Sequence, residues 1–126
     1  MRPDRPDLLF RKAQQDELVL DRLLGDPDVD DDTLGFHAQQ AAEKMLKALL
    51  AARSVDYPKT HNIRVLIELL ANEGIRLPAE LSDIDRLTPF GTTFRYDVLQ
   101  HAAEGDRSRW LEWIRRLRSF LEPLLR

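Results

Sequence analysis

Three polar residues in one stretch of the chain are spaced so that an α-helix would place them on the same face. They are His37, Gln40 and Lys44, at positions i, i+3 and i+7, and residues so spaced lie above one another on a helix. An imidazole, an amide and an ammonium group there could line a groove for a nucleotide or for a second subunit. Alternatively, this face is solvated or lies in an interface, with the histidine partly packed. The spacing leaves both interpretations open.

A second candidate is His61, which follows Lys59 and Thr60 immediately before a predicted helix. The exposed amide groups at the start of a helix favour anions, so together with a lysine they could hold a phosphate. Threonine is also a common N-cap residue. We therefore expect that capping by Thr60 is the main role of this segment.

The sequence predicts no metal site and no cofactor. Asp28, Asp30 and Asp32 alternate as in a calcium loop, but Thr33 stands where that loop needs glycine, and Gln39 where it needs glutamate. The chain has no cysteine, which excludes thiolate metal sites and disulfides. It also lacks a glycine-rich phosphate loop, a nucleophile elbow and a His-Glu-x-x-His pair.

Composition and charge restrict the classes of function. Of the 126 residues 43% are hydrophobic, enough for one core, so we expect a single domain over residues 1–126. The formal net charge of −3 differs from the basic surface of proteins that coat nucleic acids, so any RNA contact should be local. Acidic residues interrupt the late arginines, as on a solvated face; these arginines are Arg109, Arg115, Arg116 and Arg118. No apolar run approaches the roughly 18 residues of a membrane span, and a cytoplasmic location fits best.

Apolar residues recur at steps of three and four along most of the chain, which predicts helices. We predict helices over residues 7–25, 32–53 and 63–72, a short helix over 78–87, and a last helix over 106–125. Proline, glycine and threonine predict an ordered loop over 88–93, with a helical stretch resuming at Arg95. Trp110 and Trp113 adjoin the last apolar stripe, as expected of core or dimer-interface residues. The sequence therefore predicts an all-α, up-and-down bundle of four main helices plus one short helix.

Three segments of the sequence resemble the signature motifs of one family. The segment Phe36-His-Ala-Gln-Gln-Ala-Ala-Glu-Lys-Met-Leu-Lys-Ala-Leu-Leu50 is similar to the signature helix of HEPN domains. Tyr57-Pro-Lys-Thr-His61 and the helix after it resemble the second signature, and Thr92-Thr-Phe-Arg-Tyr-Asp97 resembles the loop motif. The resemblance spans roughly residues 8–122. It implies an all-α bundle, usually dimeric and often encoded beside a minimal nucleotidyltransferase.

Some HEPN members are metal-independent toxin RNases, and the resemblance extends to their arginine and histidine. Five residues separate Arg95 from His101, within the family's spacing. The resemblance implies that the arginine neutralises a scissile phosphate while the histidine moves a proton. Active members often have a small polar residue directly after the arginine, where this chain has Tyr96 and then Asp97. Residues six apart on a helix point about 120° apart, so Arg95 and His101 would meet only through arginine's length or across two subunits.

Three hypotheses follow from the sequence. The leading one is a dimeric HEPN-like module of a toxin–antitoxin type system that binds nucleotide or RNA, a minimal nucleotidyltransferase partner, or both. Its predicted binding residues are Arg95, Tyr96, Asp97, His37, Gln40 and Lys44. The second hypothesis is an endoribonuclease with Arg95 and His101 as catalytic residues. The third is a dimerising scaffold in which Arg95 has a structural role, for example pairing with Asp97.

Overall fold

The computed structural model of the chain describes residues 5–92 and 106–126, and every regular element within them is helical. The α-helices are α1 (Pro6–Leu23), α2 (Asp31–Ala52), α3 (Ile63–Asn72), α4 (Thr88–Thr92) and α5 (Asp106–Leu121). Single 3-10 turns lie over Ala79–Leu81, Ile84–Leu87 and Glu122–Leu125. The prediction of an all-α bundle with four main helices and a short one is confirmed. None of the described helices is long and apolar enough to cross a membrane.

Helix α2 is the centre of the bundle and contacts each of the other four α-helices. Its composition explains this position, because alanine side chains let neighbouring helices approach closely. Ala38, Ala41, Ala42 and Ala48 are all fully buried. Larger side chains from the same helix, including Leu46 and Leu49, fill the space between these contacts and are also fully buried.

The two tryptophans of α5 belong to the core. Trp110 is 5% exposed and Trp113 is 8% exposed. The Trp110 ring meets Phe90 of α4 edge to face, with 5.0 Å between the ring centroids, an arrangement that aromatic pairs favour. This contact fixes α4 against α5.

Two predictions for residues 78–93 are wrong. The segment from Pro78 to Leu87 forms two 3-10 turns instead of a short α-helix. The segment after it is a helix, α4, instead of a loop. Pro89 is compatible with this helix because it is the second residue, where the missing N–H would have no helical acceptor. Tertiary contacts add support: Thr88 Oγ1 accepts a hydrogen bond of 3.2 Å from the backbone amide of Ile63.

The last helix is shorter than predicted. α5 ends at Leu121, and a 3-10 turn follows over Glu122–Leu125. Pro123 explains the change, because proline donates no backbone hydrogen bond to the preceding turn.

Candidate functional site

Two of the three polar residues predicted to share a face of α2 converge on one carboxylate of α1. His37 Nδ1 lies 3.0 Å from Asp16 Oδ1, and Lys44 Nζ lies 2.7 Å from Asp16 Oδ2. Asp16 is 9% exposed, whereas about a quarter of the His37 and Lys44 side chains remains exposed. These contacts at a largely buried carboxylate tie α1 to α2, and part of each of the His37 and Lys44 side chains stays accessible.

Gln40, the third of these residues, begins a separate chain of hydrogen bonds. Its Nε2 donates to Gln39 Oε1 at 2.7 Å. The fully buried Gln39 in turn donates through Nε2 to Glu43 Oε1 at 2.9 Å and to the backbone carbonyl of His61 at 3.0 Å. The three residues predicted to share a face therefore belong to two separate networks: His37 and Lys44 contact Asp16, and Gln40 belongs to the chain of hydrogen bonds.

Glu43 is the point where that chain of hydrogen bonds meets two further side chains. Its Oε1 lies 2.8 Å from His61 Nδ1, and its Oε2 accepts from Lys47 Nζ at 2.9 Å. Burial opposes ionisation of Glu43, but the hydrogen bonds from Gln39, His61 and Lys47 outweigh it and hold the pKa of this carboxyl below its ordinary value. The carboxylate is thus charged at neutral pH and only accepts hydrogen bonds.

We call Gln40, Gln39, Glu43, Lys47 and His61 the polar cluster of α2. The sequence analysis singled out Gln40 and His61 as binding candidates but did not identify Gln39, Glu43 and Lys47 as members of a site. A signal was present, since residues 39, 43 and 47 recur every four residues and form a polar row on a largely buried helix. Among the described residues, no buried side-chain polar atom lacks a hydrogen-bond partner, so the cluster is internally satisfied.

The start of α3 corrects the predicted role of Thr60. The N-cap residue is Asn62, whose Oδ1 accepts from the Arg64 amide at 2.9 Å. Thr60 Oγ1 accepts from the Asn62 amide at 3.0 Å and so orders the residues before the cap. Capping of α3 therefore uses neither Thr60 nor the ring of His61.

Four predicted site residues lie outside the described residues: Arg95, Tyr96, Asp97 and His101. Described residues on either side of them in the sequence, Gly91 and Arg107, contact α2 or the turn before it. A Cβ atom at Gly91 would overlap the Gln39 amide, so the end of α4 lies directly against the polar cluster. On the other side, Arg107 pairs with Asp31 at 2.5 Å and donates to the Val29 carbonyl.

Three of the late arginines, Arg115, Arg116 and Arg118, face acidic side chains and do not form a free cationic surface. Arg118 donates two hydrogen bonds to Glu17, and this contact raises the pKa of the arginine. Arg115 pairs with Asp21 at 3.1 Å, and Arg116 with Glu112 at 3.0 Å. A groove of about 720 Å³ between α5 and the Ala79–Leu81 turn has Arg115 and Arg116 in its lining. Because these cations already face acids, the groove has little excess positive charge.

Acidic residues around the start of α2 have structural roles. Asp26 Oδ1 accepts from the Asp28 amide at 2.9 Å, and Asp31 holds Arg107. Within residues 5–92 and 106–126, no group of three or more histidine or acidic side chains could hold a metal ion.

The chain matches one known family over most of its length. The family model described as HEPN domain matches residues 8–125. No curated protein and no solved structure matches the chain.

Proposed function

The chain belongs to the HEPN domain family, a nucleotide- and RNA-related family, and from this premise we propose that it is a dimeric module that binds nucleotide or RNA. We further propose that it acts in the cytoplasm with a minimal nucleotidyltransferase, in a system of the toxin–antitoxin type. The ligand would meet Arg95, Tyr96 and Asp97 together with the polar residues of α2.

The observation that carries the proposal is the polar cluster of α2, a row of buried polar groups with more exposed residues at its ends. Burying such groups lowers stability unless every one is hydrogen-bonded, and a fully bonded network holds its members rigidly. Gln39 and Glu43 are buried in the cluster, whereas His61 has a side chain that is 56% exposed. A rigid network that ends at the surface supports a binding role, because a preorganised site loses less entropy on binding.

The charge of the chain favours a local contact with nucleic acid and argues against a broad nucleic-acid-binding surface. The formal net charge is −3, and Arg115, Arg116 and Arg118 are paired with acids. Gly91 contacts the polar cluster, four residues before Arg95. We therefore propose that Arg95 supplies the phosphate contact, since an arginine fork can bind a phosphate through two hydrogen bonds.

His37 and Lys44 would take part from the α1 side of α2. Both face Asp16 and both keep an accessible edge. In the proposed dimer, this edge and Gln40 line a groove between subunits or a groove for the ligand. A gene for a small nucleotidyltransferase beside this one would support the partner that we propose.

Binding is tested with labelled single-stranded RNA by fluorescence anisotropy and with ribonucleotides by calorimetry, after light scattering has given the oligomeric state. We expect a dimer that binds, and an Arg95→Ala variant that binds at least about tenfold more weakly, as for a lost charge-assisted hydrogen bond. The control is Glu68→Gln, an exposed change on α3. A folded protein that binds neither RNA nor nucleotide would contradict the proposal.

A further inference from the structure

His61 is held at two points although its ring is largely exposed. The ring contacts Glu43 through Nδ1 at 2.8 Å, and the backbone carbonyl accepts from Gln39 at 3.0 Å. Most exposed side chains move among several rotamers, whereas this ring is oriented by a side chain that is only 7% exposed. The arrangement presents one ring nitrogen, Nε2, to solvent in a fixed direction.

The partner of Nδ1 decides the chemistry of Nε2. Glu43 is ionised at neutral pH because the hydrogen bonds that it accepts outweigh its burial and lower its pKa. A carboxylate has no proton to donate, so the proton between the two groups is on Nδ1. In the neutral ring Nε2 then carries a lone pair and accepts a hydrogen bond. Within the described residues, Nε2 has no hydrogen-bond partner.

Support of the fold does not account for this orientation. Asn62 already caps α3, and Gln39 and Lys47 already donate to the Glu43 carboxylate. The ring of His61 is therefore an addition to a network that could be satisfied without it.

We infer that His61 Nε2 is an acceptor for a ribose hydroxyl, so that the module prefers ribonucleotides or RNA to their deoxy counterparts. The inference rests on the proposed function and names the part of the ligand that His61 contacts. For the neutral ring a phosphate oxygen is a poor match, because neither Nε2 nor an ionised phosphodiester then has a hydrogen to donate. A 2′-hydroxyl does donate, and it is the group by which proteins distinguish RNA from DNA.

The wild-type protein gives the first test, because the ligand is changed and the fold is not. Affinity is measured by fluorescence anisotropy for RNA, for the same sequence as 2′-fluoro RNA, and for the same sequence as DNA. We expect RNA to bind roughly three- to tenfold more tightly than either analogue, as for one hydrogen bond. Calorimetry with a ribonucleotide and its 2′-deoxy form shows whether a free nucleotide shares this preference.

Variants then assign the preference to His61. His61→Ala should reduce the ratio of RNA affinity to DNA affinity to about one. His61→Lys, whose ammonium group can only donate hydrogen bonds, should also reduce this ratio to about one, without weakening the contact of the protein with phosphate. Glu68→Gln, on the helix that follows His61, should keep the wild-type ratio. Equal affinities for RNA and both analogues in the wild type, or an unchanged ratio in both His61 variants, would overturn the inference alone. Failure of the wild type to bind any of these ligands would overturn the proposed function itself.

Discussion

Replacement of Glu43 by glutamine tests whether the polar cluster is charged and cooperative. Three donors meet at this carboxylate, from Gln39, Lys47 and His61. Glutamine keeps the shape of the side chain but removes the charge and places an NH₂ group where one oxygen accepted hydrogen bonds. At least one donor, Lys47 or His61, therefore faces another donor.

The size of the effect follows from burial. A hydrogen bond to a charged group contributes about 1.5–3 kcal/mol, and removing one member of a buried ion pair costs about 3–5 kcal/mol. The side chain of Lys47 is 14% exposed and that of His61 is 56% exposed, so water compensates part of the loss. We expect Glu43→Gln to lower the free energy of unfolding by about 2–4 kcal/mol, a large share of the roughly 5–15 kcal/mol typical of a domain.

The effect should depend on pH in one direction. The pKa of Glu43 in the folded state lies below its ordinary, unfolded value, so its contribution to stability is present above the unfolded pKa and is lost as pH falls through the folded-state pKa. The variant has no carboxyl at this position and lacks this dependence. The stability difference between the two proteins should therefore be largest at neutral pH and shrink in acid.

Urea unfolding followed by far-ultraviolet circular dichroism measures both quantities. Glu68→Gln, which removes the same charge from an exposed position, should change stability by no more than about 0.5 kcal/mol. A Glu43→Gln effect as small as that of Glu68→Gln, or one of constant size from neutral to acidic pH, would refute the charged network.

Two further predictions concern the packing of Gly91 and the effect of the chain in bacteria. Gly91→Ala should lower stability by about 1–3 kcal/mol in urea unfolding, because its Cβ would overlap the Gln39 amide. The matched control is Gly25→Ala, since nothing lies within 4 Å of a Cβ at Gly25. Equal effects of the two substitutions would show that the contact at Gly91 is unimportant. If the chain is a binding module, its expression in bacteria should cause neither growth arrest nor RNA cleavage. Growth arrest and RNA cleavage that both Arg95→Ala and His101→Ala abolish, while the variants stay folded, would instead establish the ribonuclease hypothesis.

Local sequence rules found the main helices but not the short ones. The apolar periodicity of α2 and the proline and glycine residues between helices gave helix limits within a few residues of those in the structure. The prediction of a loop at Thr88–Thr92 was wrong because local propensity disfavours helix there, whereas tertiary contacts favour it. Phe90 packs on Trp110, and Gly91 lies against Gln39.

The sequence by itself determined the helical class, the HEPN membership and the polar character of α2, because periodicity and signature motifs are properties of neighbouring residues. Only the tertiary structure decided which polar groups meet. The pairs Asp16 with Lys44 and Glu43 with His61 join different parts of the chain, 28 and 18 residues apart. Such pairs depend on how each helix is rotated about its axis, and that rotation is fixed by the packing of the whole core.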